Sequence, residues 1–213
     1  MTKIKAVIFD LDGVIADSKE TIYEVFQRLF DDFGFRVPSK KEIARFEAHG
    51  RARIIEELLP PGKREDAGLR KRMDERCAVI AGEVLVKIRP MGGAEDALRL
   101  LKKNKVKVAL ATNRGSTAPK LLGLLGLAGY FDAVVNAKQV KKLKPHPEPL
   151  LLALKRLGVG KEEAVFVGDS GVDLAAGRAA GIKTVLLTKR EAGSGVRRIR
   201  SLAELGPLLG IGK

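Results

Sequence analysis

A short apolar run near the start of the chain, Lys5-Ala6-Val7-Ile8-Phe9, ends on two aspartates one residue apart, Asp10 and Asp12, followed by Gly13. Residues 3–9 read as a strand whose second half is apolar enough to be buried on both faces, as in a parallel sheet. Such a strand needs helices on either side of its sheet, which narrows the fold at once. It also narrows the chemistry. A carboxylate is costly to desolvate, so two of them closing a buried strand call for a metal ion, a partner cation or a covalent role.

From residue 90 onward, strand and helix patterns alternate. A helix carrying Ala94, Ala97, Leu98 and Leu101 precedes a strand at 106–111, and a helix around 120–127 follows it. Strands at 133–135, 164–167 and 184–187 are separated by helices at 148–157 and 172–180. This pattern predicts an α/β fold with a parallel sheet, whose right-handed crossovers bring the strand ends to one edge, where ligands bind. Polar residues follow three of those strands: Asp10 and Asp12, then Thr112 and Asn113, then Gly168-Asp169-Ser170-Gly171-Val172-Asp173. Lys144 lies in Lys144-Pro145-His146-Pro147, where two prolines restrict the backbone ahead of a helix.

Between these regions the period is helical. Ile22, Val25, Phe26, Leu29, Phe30 and Phe33 share one stripe, Asp17 and Glu20 resemble a capping box at its start, and Gly34 stops the helix. Residues 39–88 continue without a strand pattern, broken at Pro60-Pro61-Gly62. The chain therefore reads as a core of 1–15 and 89–213 with a helical insertion at 16–88, hinged near Ala16 and near Arg89-Pro90. The tail Gly193-Ser194-Gly195 followed by Arg197, Arg198 and Arg200 reads as a mobile loop leading to a last helix near 202–209.

Composition removes several function classes. One cysteine, Cys77, excludes an intramolecular disulfide and a multi-cysteine zinc cluster, and suits a reducing cytosol. His49 and His146 have no partner at metal-ligand spacing; His146 is read as ordering its own loop. No early apolar stretch has a membrane span's length, so no membrane association and a cytoplasmic location are expected. Lys+Arg 40 against Asp+Glu 26 leaves a net +14, enough to attract polyanions. The basic residues are spread through Lys102, Lys103, Lys105 and Lys107, then Lys138, Lys141, Lys142 and Lys144, then Lys189, Arg190, Arg197, Arg198 and Arg200. Aromatics are few and tryptophan is absent, so this reads as solvated surface, not a base-stacking nucleic-acid platform. Abundant charge with scarce Asn, Gln, Cys and Met suits a thermophile's enzyme. Neither Gly-x-Gly-x-x-Gly after a strand nor Gly-x4-Gly-Lys-Ser/Thr occurs, which removes nucleotide-dependent kinases and dehydrogenases.

Asp10-Leu11-Asp12-Gly13-Val14, Thr112-Asn113, Lys144 and Gly168-Asp169 through Asp173 occur in the order of the four motifs of the haloacid dehalogenase superfamily. The resemblance covers most of the chain, from Asp10 to about Leu187. It is similar to the superfamily's phosphatases with a helical cap of the C1 type, in the phosphoglycolate phosphatase and beta-phosphoglucomutase branch. The resemblance implies a Rossmann-like core with an inserted α-helical cap, and a phosphomonoester hydrolase that works through an aspartyl phosphate with Mg²⁺. It implies Asp10 as nucleophile, Asp12 as acid and base, and Lys144 as the cation offsetting the remaining charge. Thr112 and the Asn113 backbone N–H would bind phosphate, and Asp10, Asp169 and the Asp12 carbonyl would hold Mg²⁺, with Asp173 as a further ligand or an acceptor behind it. His49, Gly50, Arg51 and Arg53, ahead of an apolar helix in the cap, are candidates to hold the leaving group, as is Lys87 near the second hinge.

Taken singly, the residues keep plainer readings. Asp12 can cap the turn before Gly13, Asp173 can be a first-turn helix acid, and Thr112 can satisfy its own backbone. The substrate stays open among phosphoglycolate, a sugar phosphate, a nucleotide and pyrophosphate, and monomer and homodimer both fit. A phosphosugar mutase of the same superfamily is the alternative activity. A non-catalytic basic protein binding polyanions or nucleic acid on this fold is the alternative class.

Overall fold

Four consecutive residues with no exposure, Ala6–Phe9, form β1. The computed structural model describes residues 3–189 and 195–212. Two compact units emerge, one of 1–17 with 90–213 and one of 18–89. The chain leaves the first unit through β2 (Ala16–Asp17) and forms α1 (Lys19–Asp32), α2 (Lys40–Ala44), α3 (Arg51–Leu58) and α4 (Ala67–Val84). It returns through β3 (Arg89–Pro90), and Met91 N–H then donates to the Ile15 carbonyl at 2.8 Å.

Within the helical unit, Val25, Phe26, Leu29 and Phe30 of α1 pack with Ile43, Ile54 and Ile55 and with Leu69, Met73, Cys77, Ile80 and Val84 of α4. The stripe on α1 is therefore its core face. Phe35 N–H reaches the Phe30 carbonyl and Gly34 N–H the Asp31 carbonyl, both at 2.9 Å, closing the helix in a Schellman arrangement. The Phe30 and Phe35 rings stack against that closure, 6.2 Å apart and tilted. The expected Asp17–Glu20 capping box is not formed. Asp17 is drawn into β2, so the helix starts one residue later at Ser18, which makes no side-chain cap bond, and Glu20 pairs with Lys40.

The core unit continues with α5 (Ala94–Lys103), β4 (Lys107–Ala111), α6 (Thr117–Leu124), β5 (Ala133–Val135), α7 (Glu148–Leu157), β6 (Ala164–Gly168), α8 (Gly171–Ala180), β7 (Lys183–Leu187), β8 (Arg197–Ile199) and α9 (Leu205–Leu209). Charge follows the helix dipoles: Glu95 and Asp96 open α5 and Lys102 and Lys103 close it, while Glu148 opens α7 and Lys155 and Arg156 close it. The six strands are parallel in the order β5-β4-β1-β6-β7-β8. Ala6, Ile8, Ala109 and Phe166 face Leu150, Ala153, Leu154 and Leu157 of α7 and Ala176 and Ala180 of α8 on one side of the sheet. Val7, Phe9, Val108 and Leu110, alternating with them, are equally buried.

Two expectations change. The helix anticipated around 120–127 lies at Thr117–Leu124, because Gly126 reverses the chain and Leu127 packs inward outside the helix. The tail expected as a loop contributes a sixth strand, with Arg197, Arg198 and Ile199 level with Val185, Leu186 and Leu187. Three residues show no period, and charges on an edge strand discourage further pairing, so the run looks like a loop in sequence. Arg190, Gly193 and Ser194 lie outside the described residues. Among the described residues no helix is long and apolar enough to cross a membrane.

Candidate active site

Register alone brings the polar strand ends together. Phe9 is level with Leu110 on β4 and with Val167 on β6, so Asp10 stands beside Ala111 and Gly168, one residue short of Thr112 and Asp169. Asp10 N–H donates to the Val167 carbonyl at 2.9 Å, holding the residue in line with the sheet while its side chain is 12% exposed.

Lys144 is a buried cation at this edge. Its side chain is 2% exposed, and Nζ lies 2.8 Å from Asp10 Oδ1 and 2.6 Å from Asp173 Oδ1. Beneath it is the Phe166 ring, with Nζ 5.4 Å from the centroid, a cation–π contact worth up to about 2 kcal/mol when desolvated. Burial works against a charged amine, yet the carboxylates of Asp10 and Asp173 outweigh it and hold Lys144 above the ordinary lysine range. Asn113 fixes the loop that carries it: Oδ1 accepts from Lys144 N–H and Nδ2 donates to the Lys144 carbonyl, both at 2.9 Å. His146 Nδ1 accepts from Glu148 N–H at 3.2 Å, ordering the same loop.

Asp173 performs two tasks with its two oxygens. Oδ2 accepts from Ser170 Oγ at 2.6 Å and from the Ser170 and Asp169 N–H groups at 3.2 and 3.3 Å, closing a capping box on α8, while Oδ1 meets Lys144. The first-turn capping and the contact with Lys144 thus coexist. Two glycines make room. A Cβ on Gly168 would stand 2.3 Å from Asp173 Cβ, and one on Gly13, whose φ is +81°, would stand 2.2 Å from Asp169 Oδ2.

Carboxylate oxygens of Asp10, Asp169 and Asp173 lie within 4.8 Å of one another. Asp10 is raised to about 8: burial pushes it up, Lys144 pulls it down, and Asp173, Asp12 and Asp169 add to the rise. Hard, crowded carboxylate oxygens of like charge suit a small divalent cation that prefers oxygen ligands. The residues present fit such an ion.

Asp12 stands apart from that cluster. Its carboxylate is gripped by Arg114, with Nη2 2.6 Å from Oδ1 and Nε 3.1 and 3.2 Å from Oδ2 and Oδ1. Arg114 was not singled out from sequence. The contact spans 102 residues, and only its place two positions after Thr112 at a strand end could have drawn attention. Thr112, 1% exposed, accepts the Arg114 N–H on Oγ1 at 3.0 Å, the local hydroxyl-to-backbone bond of its plainer reading.

A sequence profile of the family described as haloacid dehalogenase-like hydrolase matches residues 7–187. The chain belongs to that family. It is 32% identical over 194 residues to a protein of Halalkalibacterium halodurans named pyrophosphatase PpaX, covering 87% of this chain and 84% of that one. It is 34% identical over 199 residues to the phosphoglycolate phosphatase of Cupriavidus necator, covering 89% and 83%. Among solved structures, the beta-phosphoglucomutase of Clostridium difficile matches with a TM-score of 0.86 at 26% identity, covering 95% and 93%. The chain is a phosphatase of this family.

The remaining candidates of the phosphatase lie in its helical unit. His49 is exposed and Gly50, with φ 91°, precedes α3. Arg51 forks onto Asp74, with Nη2 2.7 Å from Oδ2, and Arg53 pairs with Glu56 at 3.1 Å and with Glu57. Lys87 Nζ meets the Glu24 oxygens at 2.7 and 2.9 Å. Those three cations are thus already engaged by acids of their own unit.

Proposed function

We propose that this phosphatase hydrolyses a small phosphorylated metabolite through an aspartyl phosphate on Asp10. Mg²⁺ would be held by Asp10, Asp169 and the Asp12 backbone carbonyl, with Asp173 as a further ligand or an acceptor behind it. The observation that carries the reading is Lys144 Nζ standing between Asp10 and Asp173, whose carboxylate oxygens cluster with those of Asp169 at one sheet edge. When bound, Mg²⁺ supplies the positive charge that lets a dianionic phosphate approach these acids.

An oxygen of Asp10 attacks phosphorus as the ester P–O bond breaks, and Asp12 gives its proton to the departing oxygen. Asp12 then takes a proton from the water that attacks the same phosphorus, which frees inorganic phosphate and restores Asp10. Acid–base help of this kind contributes about 10² to 10⁴ in rate. Lys144 favours the ionised nucleophile and offsets phosphate charge. Thr112 Oγ1 accepts the Arg114 N–H, which leaves its own proton to donate to a phosphate oxygen, beside the Asn113 N–H.

The names of the relatives support phosphoglycolate and pyrophosphate as first substrates to try, and the beta-phosphoglucomutase likeness adds sugar phosphates. His49 and Gly50 are the proposed leaving-group contacts of the helical unit. Phosphate release is to be measured on these substrates with Mg²⁺, with EDTA, and with Asp10→Asn. Turnover by wild type in Mg²⁺, lost in EDTA, restored by added Mg²⁺ and absent in Asp10→Asn, is expected. Full activity in chelator, or turnover by Asp10→Asn, refutes the metal or the nucleophile role respectively. Sugar phosphate isomerised without phosphate release would identify a mutase instead.

A further inference from the structure

We infer that Arg114 is a positioning residue for the leaving-group proton: its guanidinium fork sets the plane of the Asp12 carboxylate. The inference rests on the proposed role of Asp12 as acid and base. Three N–H contacts from Nε and Nη2 reach both oxygens of Asp12 at 2.6–3.2 Å. A planar fork on both oxygens fixes the carboxylate's orientation, which a single point charge does not. The pair is sheltered, with Arg114 12% and Asp12 24% exposed at the side chain, so it differs from a solvated surface ion pair.

Both ends of the pair are anchored by backbone. Arg114 N–H donates to Thr112 Oγ1 at 3.0 Å, and the Arg114 carbonyl accepts from Ala137 N–H at 3.0 Å, so the stem of the arginine is pinned on both sides of its Cα. At the other end, Gly13 N–H donates to the Ala16 carbonyl at 2.8 Å, and Asp12 bridges to Ala16. Two fixed backbones joined by a fixed fork leave the carboxylate little rotational freedom. Proton transfer to a leaving oxygen depends on such placement, because small errors of distance and angle are amplified in rate. Thr112 thereby links the phosphate-binding end of β4 to the acid on the loop after β1.

The test compares 4-nitrophenyl phosphate with phenyl phosphate, two esters of similar size. The nitrophenolate departs with little need of a proton, whereas phenolate needs one. For Arg114→Met, kcat/KM on phenyl phosphate is expected to fall about 10²-fold, the scale of acid catalysis, with at most about a threefold fall on 4-nitrophenyl phosphate. Arg114→Lys, which keeps the charge without the fork, is expected to show the same selectivity at smaller size, and decides the matter if the methionine variant does not fold. In an Asp12→Asn background, Arg114→Met is expected to change neither rate further, since the group it positions is gone. Equal losses on both esters in the single variants, or no loss on either, overturn the inference. The Asp12→Asn parent separates the two readings. If it does not discriminate between the esters, the acid role of Asp12 fails; if it discriminates and the Arg114 variants do not, only the role of Arg114 fails.

Discussion

Asp10, the proposed nucleophile, should be a destabilising residue in metal-free protein, and Asp10→Asn measures by how much. Burial and the neighbouring Asp173, Asp12 and Asp169 hold Asp10 at about 8, against 3.8 for the free side chain. The folded state therefore keeps a proton that the unfolded chain releases between about pH 4 and pH 8, so folding stability declines as pH rises through that window. The limiting slope is about 1.4 kcal/mol per pH unit, which from pH 5 to pH 8 gives about 4 kcal/mol. Water reaching the partly exposed Asp12 and Asp169 screens the cluster and brings the expected loss nearer to about 2 kcal/mol. Asparagine does not titrate and can still accept from Lys144, which retains Asp173 at 2.6 Å. In EDTA the difference between the two proteins should be smallest at the acid end of that window. Near pH 8 the variant should be the more stable by about 2–4 kcal/mol, roughly 4–16 °C in Tm for a chain of this length. Thermal unfolding followed by circular dichroism across that range, with and without Mg²⁺, is the assay. In Mg²⁺ the gap should close or reverse, because a ligand that binds only the folded wild type stabilises it. Parallel pH curves for the two proteins in EDTA would refute the reasoning, since the cluster would then carry no strain to relieve.

Two further outcomes follow from the same geometry. Lys144→Met strands Asp10 and Asp173 without a cation and should cost about 3–5 kcal/mol in urea unfolding, part of it recovered in Lys144→Met/Asp173→Asn; strict additivity would contradict the shared contact. Gly13→Ala places a methyl 2.2 Å from Asp169 Oδ2 at a φ of +81°, so the Mg²⁺ concentration for half-maximal activity should rise at least about tenfold, while the melting temperature falls by only a few degrees. An unchanged Mg²⁺ dependence would show that Asp169 is not held by that close approach.

The parallel sheet was legible because its central strands are buried on both faces and its helices carry clean stripes. Ala6–Phe9, Ala133–Val135 and the helix Glu148–Leu157 lie where their apolar patterns put them. What pattern reading lost was set by tertiary context. Arg197–Ile199 becomes a strand because β7 offers it an open edge, and a three-residue run with two arginines gives no sign of that. The start of α1 shifts because β2 claims Asp17. Gly126 moves the end of α6, an effect of left-handed backbone at φ +70° that apolar spacing alone does not register.

The site divides along the same line. Asp10 and Asp169 could be found from sequence because each stands after a buried run and so needs an explanation where it stands, while Asp12 and Asp173 came from motif order. Their counter-charges could not be found that way, since lysine and arginine are abundant and only the fold says which of them turn inward. Prolines and motif order pointed to Lys144; nothing comparable marked Arg114. Yet the two cations face three of the four acids: Lys144 meets Asp10 and Asp173, Arg114 meets Asp12, and Asp169 lies in one cluster with Asp10 and Asp173. The division separates the acids by task. Oxygens that would hold a cation and attack phosphorus are crowded, so an added positive charge is strongly favoured among them. The oxygens that would carry a proton are gripped instead by the planar fork of Arg114, which sets their direction.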